Sequence, residues 1–226
     1  MKKPYEVRLL NIKDLKDILT LQNTVYENLI DKTRLEKLNE EEYNFILSGN
    51  GLIIGVYVES KLIALRALLD PRNDPKHLGL IIGLSKQELD KVIYQEISFV
   101  HPDYQGNNLQ KIMANLIMKE LNKKGHSYSY VCATVAPDNI PSLKDKFSQG
   151  MEIRAFVTIY DEKQRYVFVK ELIERESKTE IIKEVKIELA NKSKVKRYLD
   201  LNWAGIKLLQ ENNQYFIKFV QYKHIN

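Results

Sequence analysis

The chain has 226 residues, 44% of them hydrophobic, a formal net charge of +5 and one cysteine. That is enough apolar material for one α/β domain with an appendage; no apolar run approaches the roughly 20 residues a membrane span needs, and Cys132 alone excludes an intrachain disulfide. A single thiol, and an N-terminus Met1-Lys2-Lys3-Pro4-Tyr5-Glu6 that leads into a strand without an apolar signal core, point to the cytoplasm.

A short strand is expected at Glu6–Leu10, followed by a helix from Asn11 with Ile12, Leu15, Ile18, Leu19, Gln22, Val25 and Tyr26 at helical spacing. A second helix follows, started either by Thr33 with Glu36 or by Asn39 with Glu42 as a capping box. Leu52–Val58 and Leu62–Leu69 read as a hairpin turning at Glu59-Ser60. The connection from Asp70 to Lys91 is long; it reads either as a lid or substrate wall or as a mobile insertion, with a short helical pattern from Ser85.

An apolar strand then spans Val92–Val100, and a helix over Leu109–Lys123 carries Leu109, Ile112, Met113, Leu116, Ile117 and Leu121 on one face before Gly125. A strand at Tyr128–Val135, a helix near Pro141–Gln149 and two strands at Glu152–Tyr160 and Arg165–Leu172, joined at Asp161-Glu162-Lys163-Gln164, complete a first domain over residues 1–173. Beyond the charge-dense link Glu174–Glu180, a β-α-β-β unit is expected: strand Ile181–Leu189, helix Ser193–Leu201 capped by Asn191, and a hairpin Ile206–Leu209 and Tyr215–Tyr222 around Asn212-Asn213. About fifty residues make a marginal free core, so residues 174–226 are expected to dock on the main domain or on a partner chain, with Trp203 as anchor. The cations Lys192, Lys194, Lys196 and Arg197 read as a solvated helix face rather than a nucleic-acid stripe.

The chemistry concentrates where the strand ending Phe99-Val100 passes through His101-Pro102-Asp103-Tyr104 into Gln105-Gly106-Asn107-Asn108-Leu109-Gln110. A loop of small polar residues opening a helix leaves outward backbone N–H groups at the positive end of the helix dipole, where a phosphate can be held. No Gly-Lys-Ser/Thr follows and Gly106 stands alone, so neither a Walker loop nor a dinucleotide fingerprint is present. A second element follows: Pro137-Asp138-Asn139-Ile140-Pro141-Ser142 suits a helix start, and Gly150 a helix end before Met151.

In order and spacing these two segments resemble the acyl-CoA signature of the GNAT N-acetyltransferase superfamily, whose pyrophosphate loop reads Arg/Gln-x-x-Gly-x-Gly/Ala and whose second element reads Asn-x-x-Ala/Ser with a later Gly-Phe. Gln105 matches the first position; Asn108 stands in place of Gly, a mild change because Asn tolerates positive φ, and Gln110 stands in place of Gly or Ala, a long side chain expected to obstruct a close backbone approach that favours a small one. The resemblance covers roughly Pro4 to Leu172. It implies a mixed α/β (α+β) fold with a mostly antiparallel central sheet flanked by helices, here with the small C-terminal β-α-β-β extension.

It also implies acetyl-CoA as co-substrate, held by Phe99, Val100, Gln105, Gly106, Asn107, Asn108, Leu109 and Gln110, with Asn139 and Ser142 from the second element. The implied reaction is direct attack on the thioester by a primary amine of a small molecule or a protein. Glu96 is the candidate base: strict alternation places it on one strand face with Ser98 and Val100, and the alternative is an edge carboxylate in a salt bridge. The family's acid, a Tyr seven residues after Asn139, is replaced by Lys146, with Phe147 next. Tyr104, Tyr130 and His101 are the substitutes, Tyr104 being the choice; otherwise the thiolate leaves unaided. The competing reading is a non-catalytic acyl-CoA-binding or regulatory module. Cys132 reads as a packing residue rather than a nucleophile. No metal is expected, since the four histidines are scattered, nor a membrane or nucleic-acid partner; a homodimer would use the C-terminal unit.

Overall fold

The structure, a computed structural model, describes residues 4–72, 74–160, 162–173 and 179–224. Most of the expected link at Glu174–Glu180, Asp161 of the expected turn and Asn73 of the long connection lie outside the described residues. In chain order the elements are β1 (Glu6–Leu9), α1 (Leu15–Glu27), α2 (Glu40–Phe45), β2 (Gly51–Val58), β3 (Lys61–Leu69), α3 (Leu78–Ile81), β4 (Val92–Val100) and α4 (Leu109–Lys123). There follow β5 (Tyr130–Val135), α5 (Ile140–Ser148), β6 (Glu152–Ile159), β7 (Lys163–Glu171), β8 (Thr179–Glu188), α6 (Lys192–Asp200), β9 (Ala204–Glu211) and β10 (Gln214–His224). The chain folds as two compact units, residues 1–71 with 93–127, and residues 72–92 with 128–226.

In the first unit β1, β2, β3 and β4 pair antiparallel in that order. The middle strands are apolar along nearly their whole length and buried on both faces, because helices cover both. One face packs Leu65, Ala67, Ile97 and Phe99 against Ile18, Leu21 and Val25 of α1 and Tyr43 of α2. The other receives α4, which buries Leu109, Met113, Ala114, Ile117 and Leu121. Of the face expected for α4, Ile112 and Leu116 are only half-buried.

Local chemistry sets the helix starts. Asn11 and Asp14 form a capping box around a 3-10 turn ahead of α1. Of the two boxes open for the second helix, Asn39 with Glu42 forms it: Glu42 N donates to Asn39 Oδ1 at 2.9 Å and Asn39 N to Glu42 Oε2 at 2.6 Å. Thr33 belongs instead to a 3-10 turn capped by Asp31. Gln22, polar on the buried face of α1, is satisfied by the Leu38 backbone (2.8 and 3.1 Å) and by the Tyr43 hydroxyl (2.7 Å). Gly51 has a steric reason: a Cβ there would stand 2.0 Å from the Leu68 carbonyl oxygen.

In the second unit β7 pairs with β5 and β6, β9 touches β6 at Ile153 opposite Gly205, and β10 pairs with β9 and β8, all antiparallel. The β-α-β-β pattern expected beyond residue 180 is therefore present as β8-α6-β9-β10, and α6 packs on β6. Its buried centre is Ile187, Val195, Leu199, Ala204, Ile217, Phe219 and Val220. Trp203, the expected anchor, is only half-buried and meets Tyr198 edge to face at 5.0 Å, whereas Phe219 is fully buried. The long connection folds: His77 caps α3, Ser85 and Glu88 cap a 3-10 turn, and the Tyr130 hydroxyl donates to Glu88 Oε1 at 2.8 Å.

Candidate functional site

The loop leaving β4 begins with a 3-10 turn at Pro102–Tyr104, favoured by Pro at its first position. It then passes through two left-handed residues, Gly106 at φ +77° and Asn108 at φ +59°. Gly106 takes this conformation without cost, and Asn is the side chain that best tolerates it. Asn107 steadies the bend, its Nδ2 donating to the Tyr104 carbonyl oxygen at 2.9 Å. The chain thereby enters α4 with Asn108 as N-cap, without a side-chain cap bond, and with no acidic residue in the first turn. A 15-residue helix opened in this way presents its first backbone N–H groups and positive pole to an incoming anion.

The expected loop residues Gln105–Leu109 line this turn: Gln105, Gly106 and Asn108 are exposed, Asn107 is half-buried and Leu109 is buried. Gln110 behaves differently from its expected obstruction of the approach. Its side chain folds back onto the sheet, where Oε1 accepts from Arg66 Nη2 at 3.0 Å and from the Ser98 hydroxyl. Arg66 also donates to the Gln110 carbonyl oxygen at 3.3 Å and to Gln95 Oε1 at 3.0 Å. Residue-by-residue reading missed Arg66, although a lone cation inside the apolar run Leu62–Leu69 was a signal that it is held by partners.

Phe99 and Val100 end β4, both buried. His101 N donates to Ile63 O at 2.7 Å, so Phe99, two residues earlier, also directs its amide toward β3, and Val100 directs its amide away from β3. Of these two residues, Val100 is therefore the one whose amide turns outward from the β3 ladder.

Glu96 does not share a face with Ser98 and Val100. Ala67 pairs with Ile97 and Leu68 with Gln95, which leaves Glu96 as the extra residue of a β-bulge. The bulge breaks the alternation: Gln95 joins Ser98 on the Arg66 side, and the half-buried Glu96 bears on the opposite side. There burial raises the Tyr43 hydroxyl pKa, and the charges of Glu42 and Glu96 raise it further.

Tyr104 is half-buried and stands edge to face with His101 at 5.7 Å. His101 itself is buried, with Nδ1 facing Asp103 N at 3.3 Å and Nε2 facing Lys61 Nζ at 3.3 Å. In the second unit Asn139 caps α5, its Oδ1 accepting from Ser142 N at 3.2 Å. Lys146 is turned inward and buried, with Nζ 3.5 Å from Asp145 Oδ2. Tyr130 is buried and tied to Glu88, and Cys132 is buried with its thiol pushed up to about 12 by desolvation, as fits packing. Among the described residues no helix is long and apolar enough to cross a membrane.

No family model matches the chain, nor does any curated protein. Solved structures do. The GNAT-family acetyltransferase of Streptococcus pneumoniae matches with a TM-score of 0.56 and 13% identity over 75% of this chain and 100% of its own. The ribosomal-protein-S18-alanine N-acetyltransferase of Escherichia coli matches with 0.53 and 13% identity over 76% and 97%. The PaiA N-acetyltransferase of Thermoplasma acidophilum, solved in complex with coenzyme A, matches with 0.52 and 15% identity over 74% and 99%. The chain has the fold of the GNAT acetyltransferases.

Proposed function

We propose that the chain is an acyl-CoA-dependent N-acetyltransferase that moves an acetyl group from acetyl-CoA to a primary amine. The observation that carries this reading is the entry to α4: two left-handed residues, no side-chain cap and no acid in the first turn, an arrangement suited to a polyphosphate. A solved structure of the same fold is a coenzyme A complex, which supports the same ligand here. The matched share, about three quarters of the chain, is what residues 1–173 would supply, and supports residues 174–226 as an addition to that domain. The acceptor is a primary amine on a small molecule or a protein; one neighbour is named for the alanine of a ribosomal protein.

Acetyl-CoA, when bound, supplies an acyl group on a good leaving group. The backbone amides of Gly106 to Gln110 would hold the pyrophosphate, and the outward Val100 N–H would donate to the thioester carbonyl oxygen as charge grows there. Glu96, placed by the bulge on the Tyr43 side, takes the proton that the amine loses on attack. The departing thiolate takes its proton from Tyr104.

Thiol release from acetyl-CoA against a panel of primary amines tests this, with Glu96→Gln as the decisive variant. The substitution is expected to lower kcat at least about 100-fold and to leave acetyl-CoA binding intact; unchanged kcat would remove Glu96 from the mechanism. Lys146, buried beside Asp145 where the family places its Tyr, favours a second reading: a module that binds acyl-CoA without turnover. Tight binding with no thiol release for any amine would support that reading instead.

A further inference from the structure

Arg66 has no exposed surface and is the largest fully buried side chain described. It projects from the middle of β3 toward the start of α4. One of its guanidinium nitrogens reaches Gln95 of β4, and the other reaches both the side chain and the backbone carbonyl of Gln110 in the first turn of α4. The same Gln110 oxygen also accepts from Ser98 of β4. Two strands and a helix terminus are thus joined through one side-chain oxygen. The arginine fork is planar, so donating to two residues at once fixes the distance and the roll of the helix start together.

We infer that Arg66 and Gln110 are positioning residues for the anion-binding start of α4, and that Gln110 is a working part of that site rather than an obstruction within it. This inference rests on the acyl-CoA reading above. Anion binding by backbone N–H groups depends on their common aim, and in α4 no capping side chain sets it: the N-cap makes no side-chain bond and the first turn has no acid. The buried clamp supplies from below what a capping side chain supplies elsewhere. It also leaves the outward amides of the turn clear, because the long Gln110 side chain is drawn toward the sheet.

The prediction runs against sequence resemblance alone. Ala is one of the residues the GNAT pattern favours at position 110, so resemblance predicts that Gln110→Ala binds coenzyme A as well as the parent chain or better. The clamp predicts weaker binding, by about 10-fold. The test is calorimetric titration of the full chain and of Gln110→Ala, Ser98→Ala and Arg66→Met with coenzyme A, each with its thermal unfolding curve. Inorganic pyrophosphate is then used as a competitor, since it probes the loop and nothing else of the ligand. The expected result is a folded Gln110→Ala whose affinities for coenzyme A and pyrophosphate fall by the same factor, with Ser98→Ala showing a smaller loss in both. Undiminished coenzyme A affinity in Gln110→Ala, or a loss that spares pyrophosphate, would overturn the inference while leaving the acyl-CoA reading in place. A parent chain that binds no coenzyme A would overturn the acyl-CoA reading itself. Should Arg66→Met fail to fold, the two milder variants decide the question.

Discussion

Substitution of Asn108 isolates the backbone requirement of the loop, because its side chain makes no cap bond and only its conformation, φ +59° and ψ +16°, is at stake. A left-handed residue with a Cβ costs about 1–2 kcal/mol, a cost that Gly avoids and Asn partly offsets by local hydrogen bonding. Gly returns about 0.4–1 kcal/mol of this to the unfolded chain as entropy, so Asn108→Gly should lie close to neutral. Asn108→Ala should lose about 1 kcal/mol, and Asn108→Val, β-branched and a true outlier at positive φ, about 2 kcal/mol. For a chain of this length 1 kcal/mol corresponds to roughly 2–4 °C in Tm, so Val should melt about 4–8 °C below Asn. Acetyl-CoA affinity should fall in the same order, because a turn that relaxes out of the left-handed region re-aims the amides entering α4. Thermal unfolding and titration calorimetry on the four proteins provide the comparison. If Val melted within a degree of Gly, or Ala bound acetyl-CoA as Asn does, the left-handed entry to the helix would not be what the site depends on.

Two further outcomes follow from buried ionisable groups. Asp14 accepts two Arg8 hydrogen bonds at 2.6 and 3.0 Å and one from Asn11 N at 2.8 Å, and Arg8 first among these holds its carboxyl below the usual carboxylate range. With the folded pKa depressed, its contribution is complete above the unfolded value of about 3.9 and is lost as pH falls through the folded pKa. Urea unfolding should show Asp14→Ala about 2 kcal/mol less stable at pH 7, and the difference should shrink on acidification through pH 4 and below. Cys132, buried with its thiol at about 12, should resist a thiol reagent at pH 8 in the native protein and react at once in denaturant; fast native labelling would place it at an accessible site.

The order of strands and helices was legible in the sequence because it rests on periodicity and on local signals such as Asn39 with Glu42, Asn139 and Asn191, each of which caps the helix expected of it. Asn108 was legible for the same reason, since φ tolerance is a property of one residue. Glu96 was not. Its face depends on a bulge created by the pairing of β4 with β3, a register that neither strand states alone. Gln110 was misread as an obstruction because its direction is decided by Arg66 and Ser98, 44 and 12 residues away in sequence. Trp203 was overrated by size alone: it lies beside α6 against Tyr198, while Phe219 alternates into the sheet core.

Calorimetric titration of the chain with acetyl-CoA shows whether the entry to α4 grips an acyl-CoA. The expected result is one site per chain with a dissociation constant on the micromolar scale, weakened in Asn108→Val; absence of binding at millimolar acetyl-CoA would mean that the loop holds no acyl-CoA.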